Sequence, residues 1–219
     1  MNDLHITEEQ VKSLYETRFI KVFDLQYAEG KHYYDATRRN KEDLAAIKSE
    51  EEFKNMLPDA VTCIVVLKTP GEEPRLLMSY EYRYPTGHYL LSPPAGLIDP
   101  EDREADQPQV VTAKREIFEE TGITVKDTDR VYTVNPCLFS TPGMTDESNA
   151  LVAAVVDVPD LSILKQTGAV GSERFDGFAL LTEADARAVL KNGRDSNGHY
   201  YSVYTWAALL YFTAGLWKE

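Results

Sequence analysis

Residues 113–123 read AKREIFEETGI and place three carboxylates, Glu116, Glu119 and Glu120, within five positions. Successive helix residues turn by about 100°. The three glutamates therefore share one face, and Val110, Ala113 and Ile117 share an adjacent face that can pack on a sheet. Pro108 suits the first turn of this helix, and Gly122 suits a left-handed cap at its end. The glutamates then fall in the last turn, where the helix dipole disfavours each acid by about 0.3–1 kcal/mol. Like charges at i, i+4 add a few tenths of a kcal/mol. In the local sequence only Lys114 and Arg115 offset these terms. A solvated acidic face is the ordinary meaning of such a charge run. A hard divalent cation bridging the carboxylates is the chemical one.

The flanking segments predict a sheet. AVTCIVVLKT (60–69) is a nearly continuous apolar run of strand length, as in a strand buried on both faces. TPGEEP (69–74) turns it back into RLLMSYEYRY (75–84). HYLLSPPAGLI (88–98) continues as a strand that leaves the ladder at Pro93 and Pro94. DPEDREADQPQ (99–109) is an acidic loop leading into the helix. Further strands are expected at 130–139 and 150–158, with the loop STPGMTDES (140–148) between them. Residues 177–193 read as a strand running into a helix, with Thr182 as N-cap and Gly193 past the end. The segment 201–218 is apolar at helical spacing and is expected to dock on the sheet. Near the front, 18–39 predicts two aromatic strands around Gly30, and 40–57 predicts one or two short helical turns.

Charge narrows the function classes. The chain of 219 residues carries a formal net charge of −13, which disfavours general nucleic-acid binding, because phosphate contacts need a basic face. A small phosphorylated substrate stays compatible. Cys63 and Cys137 sit in apolar runs without CxxC spacing and read as reduced core residues. The opening MNDLHITEEQ lacks the apolar stretch of a signal peptide, and no run approaches the roughly 18–20 apolar residues of a membrane span. The expectation is a cytoplasmic protein with no membrane or nucleic-acid partner.

The helix and its upstream PPAGLID (93–99) resemble the signature of the Nudix hydrolases, G-x5-E-x7-R-E-U-x-E-E-x-G-U with U aliphatic. Arg115, Glu116, Ile117, Glu119, Glu120, Gly122 and Ile123 occupy the second half. Gly96 supplies the opening glycine in a PAG context similar to the ADP-ribose and ADP-sugar pyrophosphatase branch. The first half departs from the pattern. The stretch from Gly96 to Arg115 is about five residues too long, and Gln107 stands where a glutamate is expected. Glu101, Asp102, Glu104 and Asp106 are candidates to replace it. The resemblance implies an α/β fold, a Nudix-type α/β/α sandwich with a mixed β-sheet over 58–219. It also implies an N-terminal β-hairpin extension over 1–57 for substrate or dimer contacts.

The same resemblance implies Mg²⁺- or Mn²⁺-dependent hydrolysis of the pyrophosphate of a nucleoside diphosphate linked to another group, with ADP-ribose or an ADP-sugar first. Glu116 and Glu120 would coordinate the metals, with Glu119 a ligand or close beside them and the carbonyl of Ala95 a further ligand. Arg115 would orient the glutamates. Glu173, on the loop TGAVGSERFDG (167–177), is the candidate general base, with Asp176 second. Arg83 matches a substrate-contacting arginine, and Gly96 lets the loop approach the helix and the substrate. Tyr34 is the candidate base-stacking residue and Arg39 the candidate anion contact, with Tyr33 and Arg38 as their neighbours. Thr145, Asp146 and Glu147 are candidates for substrate hydroxyls. The branch often carries a glutamate shortly before PAG; here Ser92 and Pro93 stand in that stretch. A homodimer is the expected assembly. The competing readings are a hydrolase of another nucleoside diphosphate sugar or a dinucleotide, and a Nudix-like sensor that binds without cleaving.

Overall fold

The computed structural model describes residues 5–166, 168 and 173–219. Within the loop 167–177, Thr167 and residues 169–172 lie outside the described residues, while Glu173 lies within them. The chain divides into two compact units, Met1–Asp59 with Cys137–Asn149, and Ala60–Pro136 with Ala150–Glu219.

The first unit is built on a three-stranded antiparallel sheet of β1 (Val11–Glu16), β2 (Lys21–Ala28) and β3 (Lys31–Thr37). Strands β2 and β3 meet at Gly30, whose positive φ of 65° suits a tight turn. The expected hairpin is present, but a third strand, β1, extends it. In VKSLYE only Val11 is buried, so this strand lacks the alternating apolar pattern that announces one. Val11, Phe23, Leu25 and Leu44 form a small core, with Ile6, Ala46 and Ile47 packed against it. The segment after β3 makes 3-10 turns at Lys41–Asp43 and Ala45–Ile47, then α1 (Glu50–Lys54) behind a Ser49/Glu52 capping box.

The second unit is a mixed α/β fold. Its strands are β4 (Ala60–Lys68), β5 (Arg75–Arg83), β6 (His88–Ser92), β7 (Ala95–Leu97), β8 (Arg130–Phe139), β9 (Ser148–Asp157) and β10 (Phe175–Leu181). The sheet order is β10-β5-β4-β9-β8, with β6 on β5 and β7 on β4. Strand β4 is buried at every position but its last. Helix α2 (Pro108–Thr121) packs on β4 and β7, and α4 (Val203–Thr213) also packs on β4. The strand leaves the β6 ladder at Pro93–Pro94 as expected, and a short strand, β7, then pairs Ala95 with Thr62 and Gly96 with Val61. This pairing brings the PAG segment under α2.

Helix α2 runs from Pro108 to Thr121 and ends at Gly122, with φ of 74° and its N–H on the Phe118 carbonyl at 2.8 Å. Ala113 and Ile117 are fully buried. The second strand-to-helix unit matches its expected boundaries: α3 (Glu183–Asn192) follows β10, Thr182 accepts the Asp185 N–H, and Gly193 closes the helix at φ 70°. The hydroxyl of Thr205 on α4 donates to the Leu91 carbonyl of β6 at 2.9 Å, which docks the helix on the sheet. Among the described residues no helix is long and apolar enough to cross a membrane.

Gly122 and Gly193 have the same backbone conformation but different surroundings. A Cβ on Gly122 would meet the Lys165 Cβ at 3.2 Å, whereas nothing lies within 4 Å of one on Gly193. Both alanine variants should lose about 1–2 kcal/mol from the left-handed backbone, and Gly122→Ala should lose more. Urea unfolding of the two variants checks the order.

Candidate active site

Two of the three glutamates of α2 point inward. Glu116 and Glu120 are 7% and 6% exposed, while the Glu119 side chain is 37% exposed. The spacing explains the split: positions 116 and 120 lie one turn apart on the face that meets β7, and 119 lies at its rim. Glu120 accepts the Ala95 N–H through Oε1 at 3.2 Å. The Glu116 carboxylate lies against Gly96, and a Cβ at that position would overlap it. A side chain at position 96 would therefore displace this carboxylate from its present place.

Burial pushes Glu116 up to about 7; Arg115 opposes the shift, and Glu119 and Glu173 add to it. Burial also raises Glu120 well above the carboxylate range against the Ala95 hydrogen bond, with Glu81, Glu116 and Glu173 adding. Without a cation, these two groups resist carrying charge together.

Arg115 is the organiser of the helix end. Its Nη1 donates to Glu116 Oε1 at 2.7 Å and to Glu119 Oε2 at 3.1 Å. Its Nη2 donates to the Leu97 carbonyl at 2.9 Å. Burial works against its charge, but Glu116, Asp102 and Asp99 more than offset this and hold its proton tightly.

Glu173, the expected base, is exposed, and its charge acts on Glu81, Glu116 and Glu120. Asp176 is exposed on β10. Arg83 pairs with Glu81 at 2.6 Å. In the other unit, Tyr34 is 58% exposed and offers a free aromatic face, while the Tyr33 hydroxyl donates to the Gly143 carbonyl at 3.0 Å. Arg39 is committed within the protein. Its side chain is 10% exposed, with Nη2 on Asp59 Oδ2 at 2.8 Å and Nε 3.5 Å from Asp146 Oδ2. Its neighbour Arg38 is the exposed one, 3.7 Å from Glu147. Asp146 is likewise engaged, accepting from the Thr37 hydroxyl and the Ala45 N–H, and Thr145 Oγ1 accepts the Glu147 N–H.

Sequence reasoning missed Glu81. It lies on β5 at an inward position, largely buried, and burial raises its pKa against the pull of Arg83 and a hydrogen bond from Ser92. A carboxylate on β5 reaching Ser92 on the adjacent β6 is a cross-strand arrangement that no single-segment motif signals.

The profile of the NUDIX domain family matches residues 56–202. The chain belongs to the Nudix family. An ADP-ribose pyrophosphatase of Saccharomyces cerevisiae is 28% identical over 127 residues, 58% of this chain and 50% of the relative. An ADP-ribose pyrophosphatase of Bacillus subtilis is 25% identical over 135 residues, 62% of this chain and 64% of the relative. A putative nudix hydrolase of Caenorhabditis elegans is 35% identical over 99 residues, 45% of this chain and 40% of the relative. The chain thus matches about half the length of these relatives. The solved structure of an ADP compounds hydrolase superposes with a TM-score of 0.56 at 19% identity, covering 94% of this chain and 90% of the other, which shows the shared fold.

Nudix hydrolases generally use divalent metal ions. Among the described residues, no three His, Cys, Asp or Glu side chains gather closely enough to cage an ion alone. Two buried carboxylates beside a β7 turn nevertheless fit Mg²⁺ or Mn²⁺. Mg²⁺ takes hard oxygen donors, is held through one or two carboxylates and keeps several waters.

Because Glu116 holds its proton up to about 7 in the folded chain against 4.5 ordinarily, the native state binds more protons across that window. Stability must then fall as pH rises through it. The melting temperature without divalent cation should drop between about pH 5 and pH 7.5, and Glu116→Gln should flatten the drop; thermal scans at a series of pH values check this. In the first unit, Arg39→Ala removes the cation shared by Asp59 and Asp146 and should cost about 3–5 kcal/mol, with Arg38→Ala close to neutral. Chemical denaturation of the pair separates a structural ion cluster from a free anion contact.

Proposed function

We propose that this chain hydrolyses the pyrophosphate of a nucleoside diphosphate linked to another group, ADP-ribose or an ADP-sugar first, releasing AMP and a sugar phosphate. The observation that carries the reading is the burial of Glu116 and Glu120 together at the end of α2. Burying two acids side by side is costly; Arg115 offsets the charge of Glu116, Glu120 is helped by the Ala95 N–H, and a divalent cation beside a bound diphosphate would supply further counter-charge. The names of the yeast and bacterial relatives support the substrate class.

A bound divalent cation would screen the phosphate charge and lower the pKa of a water nucleophile. Glu116 and Glu120, with the Ala95 carbonyl, are the residues that would hold it. Arg115 orients Glu116 and Glu119 through its Nη1 bonds. Glu173 accepts the proton as water adds to one phosphorus and the P–O bond to the bridging oxygen breaks. The released phosphate carries away the bridging oxygen and its electron pair. Arg83 offers its guanidinium to the diphosphate once it exchanges Glu81 for substrate, and Gly96 leaves room beside the carboxylates. For the first unit we propose substrate or dimer contacts, supported by the exposure of Tyr15, Phe19, Tyr33 and Tyr34 and by Arg38 and Glu147 at its surface.

A panel of nucleoside diphosphate compounds with Mg²⁺, read by chromatography of the products, tests the reading. AMP and ribose 5-phosphate should form from ADP-ribose. Glu120→Gln should lose about 100-fold or more in kcat/KM, because metal stabilisation is worth several kcal/mol and each 1.4 kcal/mol is tenfold. Tight ADP-ribose binding without turnover would replace the hydrolase with a sensor.

A further inference from the structure

The loop between β7 and α2 is the place where this chain leaves the family pattern. It is about five residues longer and has Gln107 in place of the expected glutamate. Five acids stand in it, Asp99 among them. Glu101, Glu104 and Asp106 are exposed, whereas Asp102 is 8% exposed. Asp102 begins a 3-10 turn, Asp102–Glu104, and its N–H donates to the Asp99 carbonyl at 3.0 Å.

The Asp102 carboxylate faces α2. Its Oδ2 accepts from Arg115 Nε at 3.2 Å, from Arg115 Nη2 at 3.0 Å and from the Thr112 hydroxyl at 2.9 Å. Asp99 lies farther out, 3.3 Å from Nη2. A guanidinium is planar and rigid, with its donors in a fixed fork. Holding the Nε/Nη2 edge on one oxygen therefore sets the direction of Nη1, and Nη1 is the atom that holds Glu116 and Glu119. Thr112 lies on the same helix one turn before Glu116 and is fully buried, so it places the Asp102 oxygen relative to the helix itself.

We propose that Asp102, supplied by the extra length of this loop, is the positioning residue for the carboxylate site: it locks Arg115 so that Glu116 is presented to a divalent cation. The inference rests on the proposed cation-dependent hydrolase. Asp102 takes the place left by the absent glutamate at position 107, and it touches neither cation nor substrate. Without it, Arg115 keeps Leu97 and can turn toward the outer Asp99, and the orientation of Glu116 is no longer determined.

The test measures Mn²⁺ binding to the full chain in the absence of substrate, by electron paramagnetic resonance of the free ion. Variants Asp102→Asn, Asp102→Ala and Asp102→Glu are compared with Glu104→Gln and Asp106→Asn, which remove a charge from the same loop without touching Arg115. Substitutions behind a metal ligand typically cost 10- to 100-fold in affinity. Asp102→Asn and Asp102→Ala should therefore bind Mn²⁺ about 10-fold more weakly. Asp102→Glu should recover part of the loss, the two controls should match the wild type, and saturating Mn²⁺ should restore most of kcat. If Asp102→Ala melts below the assay temperature, Asp102→Asn, which keeps the shape and one acceptor, gives the result. Wild-type affinity in Asp102→Asn, or an equal loss in the controls, overturns the positioning role and leaves the hydrolase standing. Failure of the wild-type chain to bind Mn²⁺ overturns the cation reading and the inference with it.

Discussion

The Arg115 guanidinium reaches four groups that would otherwise have no common partner: Asp102 in the loop, the Leu97 carbonyl on β7, and Glu116 and Glu119 on its own helix. The contacts come from three stretches of chain, the loop, β7 and α2, and a planar cation with its donors in a fixed fork can satisfy all of them in fixed geometry. Remove it and two carboxylates are left at the negative end of a helix, one of them buried against Gly96. The loop, the short strand and the helix end are thus parts of one electrostatic object.

That object is costly to keep ready. Burial raises Glu116 and Glu120, and the charges of Glu81 and Glu173 add to the cost. The rest of the second unit supplies the compensation. Strand β4 is buried along nearly its whole length, and Ala113 and Ile117 bind α2 to it through full burial. The helix places its apolar face and its acidic face only about one residue step apart. Packing that favours the fold therefore also forces the acids inward. This coupling of stability to site burial is typical of sites tuned by desolvation.

The first unit solves a different problem with the same chemistry. Arg39 sits among Asp59, Asp146 and the Ser148 hydroxyl, which ties the 137–149 segment to the small sheet. Asp35 donates nothing to this cluster but accepts the Asp146 N–H, and burial followed by Asp146 pushes it up to about 6. The apolar core of this unit is small, and removing one partner of a buried ion pair beside it leaves an uncompensated charge. The aromatic side chains of β3 are left at the surface.

Local chemistry alone announced much of this. The limits of α2, the caps at Gly122, Thr182 and Gly193, the buried strand at 60–68 and the acidic face of the helix all follow from neighbours within a few positions, where period, propensity and caps act. The same reach singled out Glu116, Glu120 and Arg115 as candidates, because a motif is a local pattern. Five features escaped it. β1 shows no alternation, and β7 is three residues long. Glu81 meets Ser92 only across a strand pair. Which acid of the 99–107 loop meets Arg115, and whether Arg39 faces ligand or protein, are questions of burial. A side chain's partner is chosen by which surfaces are closed off from water, and that closure exists only after distant segments pack. Residue identity and spacing specified the chemistry available at the helix end; the folding of β7 and the extended loop against it buried Asp102 among the acids of the loop and turned Glu116 and Glu120 inward.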